Sequence, residues 1–290
     1  MIIKSGIIAQ SRRDLIMDQG TVGDYSFNPY GMYSLRYLNR EYNGDVIRGY
    51  RNSDGNTRGF TPAEIADGSL LAWGTANSAT DHVRVKIWYD QSGNGNDTTQ
   101  TYLYYMPIII LSGAIMTQNG LPTLRFDGSN DFFPLNSALP NIRIGDCSSF
   151  CVGKFDATTL SSQEVMLSLG VTAGNSRWYC PSGRSGKFNF GYASTWNINQ
   201  TASADTDLHL FAGIAGSTQG NYQPFLDGTS LGSYTRSVTD SSGTYGIGGL
   251  NSATSYALDG NISEVLVFDG DCSTTRAAIE KNIMDFYAIS

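Results

Sequence analysis

Nowhere in its 290 residues does this chain gather lysine or arginine into a run: the 19 basic side chains are scattered among 26 acidic ones, for a formal charge of −7. Neutralising a phosphate backbone takes clustered cations, so nucleic acid is excluded as a partner. Long apolar stretches are missing too. The longest, YYMPIIILSGAIM at residues 104–116, is broken by Pro107, Ser112 and Gly113 and is too short to span a bilayer, so no membrane partner is expected. Cysteine and histidine are sparse. Cys147, Cys151, Cys180 and Cys272 show no close CxxC spacing and have only His82 and His209 for company. That argues against a zinc site and reads as free, buried thiols.

The opening MIIKSGIIAQSRRDL offers only a short apolar stretch before Ser11, Arg12 and Arg13. It does not read as a secretory signal, and synthesis in a cytoplasm is expected. With 8 Pro beside 33 Gly, 17 Tyr and 13 Phe, the composition is that of a globular, β-leaning chain.

Residues 1–29 lack periodicity and carry Ile2, Ile3, Ile7 and Ile8 with no intramolecular stripe to join, which predicts an N-terminal arm that docks on another chain. Residues 30–290 read as one domain. Met32, Leu35, Leu38 and Tyr42 recur at helical spacing and predict an amphipathic helix over 30–42. A second helix is expected over 62–73, with Thr61 as its cap and Pro62 in its first turn. From residue 83 onward the pattern changes to short β-branched and aromatic runs parted by Gly, Asn, Asp and Ser. Strands are predicted over 83–89, 123–127, 149–155, 165–169, 187–192, 208–215, 223–226, 245–248 and 261–268, with Asp227 and Gly228 turning a hairpin. A last helix, burying Ile279, Ile283 and Phe286, is expected to pack on the edge of the sandwich. The fold class that follows is all-β: a two-sheet antiparallel jelly-roll sandwich with a few short helices and an N-terminal arm.

The segments LRFDGSNDFF (124–133), PFLDGTSLGSY (224–234) and the ending LDGNISEVLVFDGDCSTTRAAIEKNIMDFYAI resemble the concanavalin A-like jelly-roll domains of bacterial and phage proteins. Within that superfamily GFTPAEIADG (59–68), IWYDQSGNGNDTTQ (87–100) and YGIGGLNS (245–252) are similar to the catalytic domain of the α-L-arabinofuranosidase B family. The segment YSLRYLNREYNGDVIRGYRNSDG (33–55) resembles the start of phage tail-fibre and virion-associated proteins. The arabinofuranosidase resemblance implies a retaining glycosidase with two carboxyl groups, one of them an Asp directly after GIGG and the other a Glu on a mid-domain strand. Here the first position is Leu250, and no Asp or Glu lies between Arg177 and Thr195. On that ground the chain is expected not to be an enzyme.

Other motifs read as architecture. Asp90 suits a loop cap bonded to backbone amides. The G-x-S-x-G match at Gly228–Gly232 needs a helix after it and finds a hairpin strand. Glu264 stands alone on its strand and suits a cross-strand partner. Asp127 and Asp131 in FDGSND could converge on calcium, although a turn without metal explains them as well, so no cofactor is expected.

Trp178, Tyr179, Tyr192 and Trp196 flank the region where the family's cleft would lie, and Asn251 is placed to bond hydroxyls. They are the candidate carbohydrate-binding residues. The resulting expectation is a non-catalytic, virion-associated fibre or decoration protein, homo-oligomeric, attached to other virion proteins by its arm and binding a cell-surface glycan. Two alternatives stand beside it: a divergent glycosidase using Asp90, Asp227 or Asp259, and a purely structural capsid or tail decoration protein.

Overall fold

The computed structural model describes residues 29–135, 146–158, 164–171, 180–192, 195–198, 202–216, 222–234, 244–249 and 256–290. Among these the architecture is an antiparallel β-sandwich, as the strand-length runs predict. Thirteen strands form one large sheet, centred on Asp259–Phe268, and smaller sheets of three and four strands also form. Asp259–Phe268 pairs with Cys147–Phe155 on one side and Leu124–Asp127 on the other, while Pro29–Ser34 also pairs with it.

Side chains of the central strands alternate between two cores, as the period of a strand requires. Cys151, Phe211, Val265 and Val267 face one cluster, where they meet Phe133, Leu135, Leu167, Phe188, Phe190 and Ile247 from the smaller sheets. Phe150, Val152, Leu210, Leu266 and Phe268 face the other, which is covered by Ile279, Ile283 and Tyr287 of the helix Arg276–Tyr287. The last helix therefore lies against the outer face of the sheet and not its edge. Both faces of this sheet are apolar, so the helix is needed to cover the second one.

Residues 30–42 depart from the predicted helix. Pro29–Ser34 is a strand, in which Met32 joins the outer core and Tyr33 the inner one. The apolar positions that imitate helical spacing belong to a strand buried on both faces and to the turn after it. The second helix forms as two short ones, Pro62–Ala66 and Ser69–Gly74; Thr61 caps the first, and Glu64 closes the capping box. Tyr222–Leu226 and Thr229–Ser230 make the expected hairpin, with Asp227 and Gly228 at φ of 48° and 76°. Two positive φ angles in a row give the turn that matches strand twist.

The YDQSGNGND loop is a clasp. Asp90 accepts four hydrogen bonds, from the Met32, Ser92 and Asn96 amides at 2.9, 2.9 and 3.0 Å and from the Ser92 hydroxyl at 2.6 Å. Gln91 donates to the carbonyls of Ser34 and Arg36 and accepts from the Leu38 amide. The motif thus holds strand Pro29–Ser34 onto the sheet. Asp90→Ala would strand buried amides, and an expected loss of at least about 2 kcal/mol should appear in the denaturation midpoint. A midpoint within error of wild type would refute the clasp.

His209 bonds Asp227 through Nδ1 at 2.5 Å and Asp205 through Nε2 at 2.8 Å, so both ring nitrogens are taken by carboxylates and no serine joins them in a triad. Burial works to lower its pKa, but the bonds to Asp227 and Asp205 outweigh burial and push it up to about 9, from an ordinary 6.5. A raised folded-state pKa contributes stability that is whole below about 6.5 and is lost as pH rises through about 9. Stability measured across that window should decline, and His209→Gln should flatten the decline; an unchanged slope would show that the ring does not carry it.

Candidate functional site

Where the central strand begins, several ionisable groups from separate parts of the chain meet. Asp127 and Asp259 are opposite one another in the pairing of Leu124–Asp127 with Asp259–Phe268, one residue beyond the pair Phe126 and Gly260. Arg125 reaches across to Asp259, bonds the Gly260 carbonyl at 3.2 Å, and meets Asp156 through Nε at 3.2 Å. Lys154 holds the other oxygen of Asp156 at 3.2 Å. Against this group lies Glu164, whose Oε2 accepts the Asp259 amide at 3.1 Å.

Glu164 has the most distinctive chemistry in the group. It is 8% exposed, and burial pushes its carboxyl up to about 7; the Asp259 amide and Arg125 work against the rise, while the charges of Asp259 and Asp156 add to it. The result is a carboxyl that is half protonated near neutrality beside two carboxylates fixed by an arginine. Different environments for neighbouring carboxyls are how one site holds both a proton donor and a base. Asp259 has a 43% exposed side chain and Asp156 a 30% exposed one, so a ligand could approach from that side.

Glu164 opens the strand Glu164–Val165, which pairs with Cys180–Arg184, with Glu164 opposite Gly183. That sheet continues through Lys187–Tyr192 to Thr195–Ile198. The segment that contains no acid of its own, residues 177–195, thus has one beside it on the neighbouring strand. Nothing in SSQEVMLSLG marks Glu164 out, and no sequence pattern links it to Asp259.

Of the three carboxylates considered from the sequence, Asp259 alone joins this cluster. Asp90 is the loop clasp, and Asp227 is spent on His209 and the Leu210 amide. Glu264 is fully buried and ion-paired to Arg36, opposite Ser34 in the strand register. Asp127 accepts the amides of Ser129 and Asn130, closing the FDGSND turn. Asp131 accepts the Asp127 amide, and its other oxygen faces Arg84 at 3.5 Å; burial and then Asp127 push its carboxyl up to about 8. Among the described residues, no group of three or more His, Cys, Asp or Glu is arranged for a metal ion.

Gly246 and Gly248 of GIGG are packing residues. A Cβ at Gly246 would lie 2.0 Å from the Phe132 ring, and one at Gly248, where φ is 84°, would lie 2.3 Å from Phe126. The motif thus seats the strand Thr244–Ile247 against FDGSNDFF. Trp178, Tyr179, Leu250 and Asn251 lie outside the described residues. Tyr192 and Trp196 lie on the strands Lys187–Tyr192 and Thr195–Ile198, in the same sheet as Glu164. Cys147, Cys151 and Cys272 are buried thiols outside any disulfide, as expected.

Comparison with solved structures places this fold among those of carbohydrate-active enzymes. An arabinofuranosidase complexed with arabinofuranosyl-α-1,2-xylobiose superposes with a TM-score of 0.68 at 15% identity, over 94% of this chain and 65% of that one. A GH54 α-L-arabinofuranosidase soaked with a cyclic sulfate inhibitor gives 0.69 at 16% identity over the same shares. The sialidase of Trypanosoma rangeli in complex with sialic acid gives 0.50 at 12% identity, over 69% of this chain and 31% of that one. The chain thus spans about two thirds of the arabinofuranosidases it matches. No protein-family model matches it. No curated protein matches it either.

These neighbours correct the expectation of a non-enzyme. The solved structures named above, which share the fold, are an arabinofuranosidase, a GH54 α-L-arabinofuranosidase and a sialidase, so the fold gives no ground for expecting a non-enzyme. That expectation rested on two motif positions, Leu250 and the acid-free segment 177–195. It overlooked that a carboxyl can be supplied to the same sheet by a different strand.

Proposed function

We propose that this protein is a glycoside hydrolase in which Glu164 is the general acid and Asp259 the partner carboxylate. The observation that carries the reading is the raised pKa of Glu164, about 7, beside carboxylates bound by Arg125. A glycosidic bond breaks when its leaving oxygen receives a proton while a second carboxylate serves the anomeric carbon, directly or through water. Glu164 can hold that proton near neutral pH. Asp259, more exposed and bound by Arg125, takes the second part in this reading. The shared fold of the arabinofuranosidases and the sialidase supports a carbohydrate substrate.

A place on a phage particle belongs to the same proposal, with residues 1–29 as the attachment and a cell-surface glycan as the substrate. Its support is the resemblance of residues 33–55 to virion-associated proteins. The test of the activity is a panel of chromogenic nitrophenyl glycosides. Release of nitrophenol by the wild-type chain, lost in Glu164→Gln, is expected; no release from any member would defeat the reading.

A further inference from the structure

Tyr102 and Tyr104 are the most exposed large hydrophobic residues among those described, at 69% and 73%; the next, Tyr256 and Leu111, stand at 40% and 39%. They lie where the longest apolar stretch of the chain begins, and residues 106–110 of that stretch are buried. The short helix Leu103–Tyr105 that follows Tyr102 is held by groups other than the two rings. The Tyr102 amide donates to the Gln100 side chain at 3.0 Å, and Gln100 donates to the Phe132 carbonyl at 2.7 Å. The Phe132 amide donates in turn to the Tyr105 carbonyl at 2.9 Å, and Arg84 donates to the Met106 carbonyl at 2.8 Å. Tyr102 has its ring 5.6 Å from that of Tyr105, between centroids. Among the described residues Tyr104 has no ring partner, and neither the Tyr102 nor the Tyr104 hydroxyl is hydrogen-bonded. The turn therefore keeps its shape without these two rings, which stand in water on a fixed support. Apolar groups left exposed in this way mark a binding surface.

Charge and size decide what that surface fits. Residues 98–124 contain no Asp, Glu, Lys or Arg, in a chain where those residues make up 16%. The charged groups that reach the turn from elsewhere are Arg84 and Asp131, which face each other at 3.5 Å with side chains 15% and 0% exposed. Beside the rings, Thr99 and Thr101 are exposed. The surface thus offers aromatic faces and hydroxyls with no exposed charge of its own to recruit an ionic partner. A membrane surface is bound through basic side chains, and this stretch has none. A stable protein interface takes about 800 Å² from each partner. Here Leu103 and Tyr105 are already partly buried, and Leu111 lies at the far end of the strand Ile108–Leu111. Two rings are too few for that and suit successive units of one sugar chain.

We propose that Tyr102 and Tyr104 form a binding site for an uncharged polysaccharide, each ring stacking on the C–H face of a sugar unit. A tyrosine presents a flat apolar face with a polar tip and loses little freedom on binding, which matches the alternation of C–H and hydroxyl on a sugar. The site is separate from the Glu164 cluster and does not depend on that cluster being catalytic.

The test is affinity electrophoresis of the Glu164→Gln chain, in which the probe is not consumed, through gels that contain arabinoxylan, linear arabinan, mixed-linkage β-glucan or polygalacturonate. At least one of the three neutral polysaccharides should retard the chain, and polygalacturonate should not. Adding Tyr102→Ala and Tyr104→Ala together should weaken that binding at least about tenfold. The melting temperature should stay within about 2 °C, as for surface substitutions. Phe at both positions should bind like the parent. The proposal is overturned if no neutral polysaccharide retards the chain, if polygalacturonate retards it equally, or if the double Ala variant binds like the parent. Loss of binding together with a large fall in melting temperature would make the rings structural. A dimer of the wild-type chain in sedimentation that the double Ala variant lacks would make them a contact between copies, and either result overturns the proposal as well.

Discussion

Glu164→Gln is expected to lower glycoside hydrolysis by about 10²–10⁴-fold, the usual contribution of a positioned general acid. The substitution keeps shape and removes the proton. Stability should not suffer. The wild-type carboxyl, raised from an ordinary 4.5 to about 7, contributes stability that is present below about 4.5 and lost as pH rises through about 7. A neutral amide lacks that loss, so at pH 7 and above the variant should melt at the same temperature as wild type or higher. Hydrolysis by the wild-type chain should also fall above about pH 7 as the donor empties. Equal activity in the variant, or a rate that climbs steadily to pH 9, would remove Glu164 from the chemistry. Loss of activity accompanied by a collapse in melting temperature would make Glu164 a structural residue instead.

Arg36→Met is expected to cost about 3–5 kcal/mol of stability, the penalty for leaving a buried charge without its partner. Arg36 and Glu264 are bound twice, Nε to Oε2 at 2.8 Å and Nη2 to Oε1 at 2.9 Å. Arg36 also donates to Asn282 at 3.0 Å and lies over the Phe286 ring at 4.4 Å. Ser34 and Tyr287 complete the coordination of Glu264, at 2.9 and 3.1 Å. The network joins the turn after Pro29–Ser34, the central strand and the last helix, where water cannot replace a lost partner. Arg36→Met with Glu264→Leu should recover most of the loss, because replacing both ions by apolar groups removes the uncompensated charge. Urea denaturation of the two variants checks this. A single variant within about 1 kcal/mol of wild type would refute the cost assigned to the broken pair.

What the sequence by itself determined is the layering of the fold. The strands it predicts, such as 187–192 and 261–268, recur as Lys187–Tyr192 and Asp259–Phe268, because β-branched runs and turn residues act over a few positions. Asp227 with Gly228, the Thr61 cap and the turning of YDQSGNGND are local for the same reason: their hydrogen bonds or φ angles are made within or near the motif. Residues 30–42 mark the limit, since the spacing of Met32, Leu35 and Leu38 suits a helix as well as a strand with two buried faces. Pairing with the central strand decided between them.

Only the tertiary structure could assemble the candidate site. Glu164 and Asp259 are 95 positions apart, and neither sits in a motif that announces chemistry. A carboxyl reaches a pKa near 7 through burial and the charges around it, and both exist only once Glu164–Val165, Leu124–Asp127 and Asp259–Phe268 have come together. Family motifs direct attention to Leu250 and to 177–195, where the acids are missing. The fold supplies an acid from a neighbouring strand, because a sheet brings side chains together by register and not by their order in the chain.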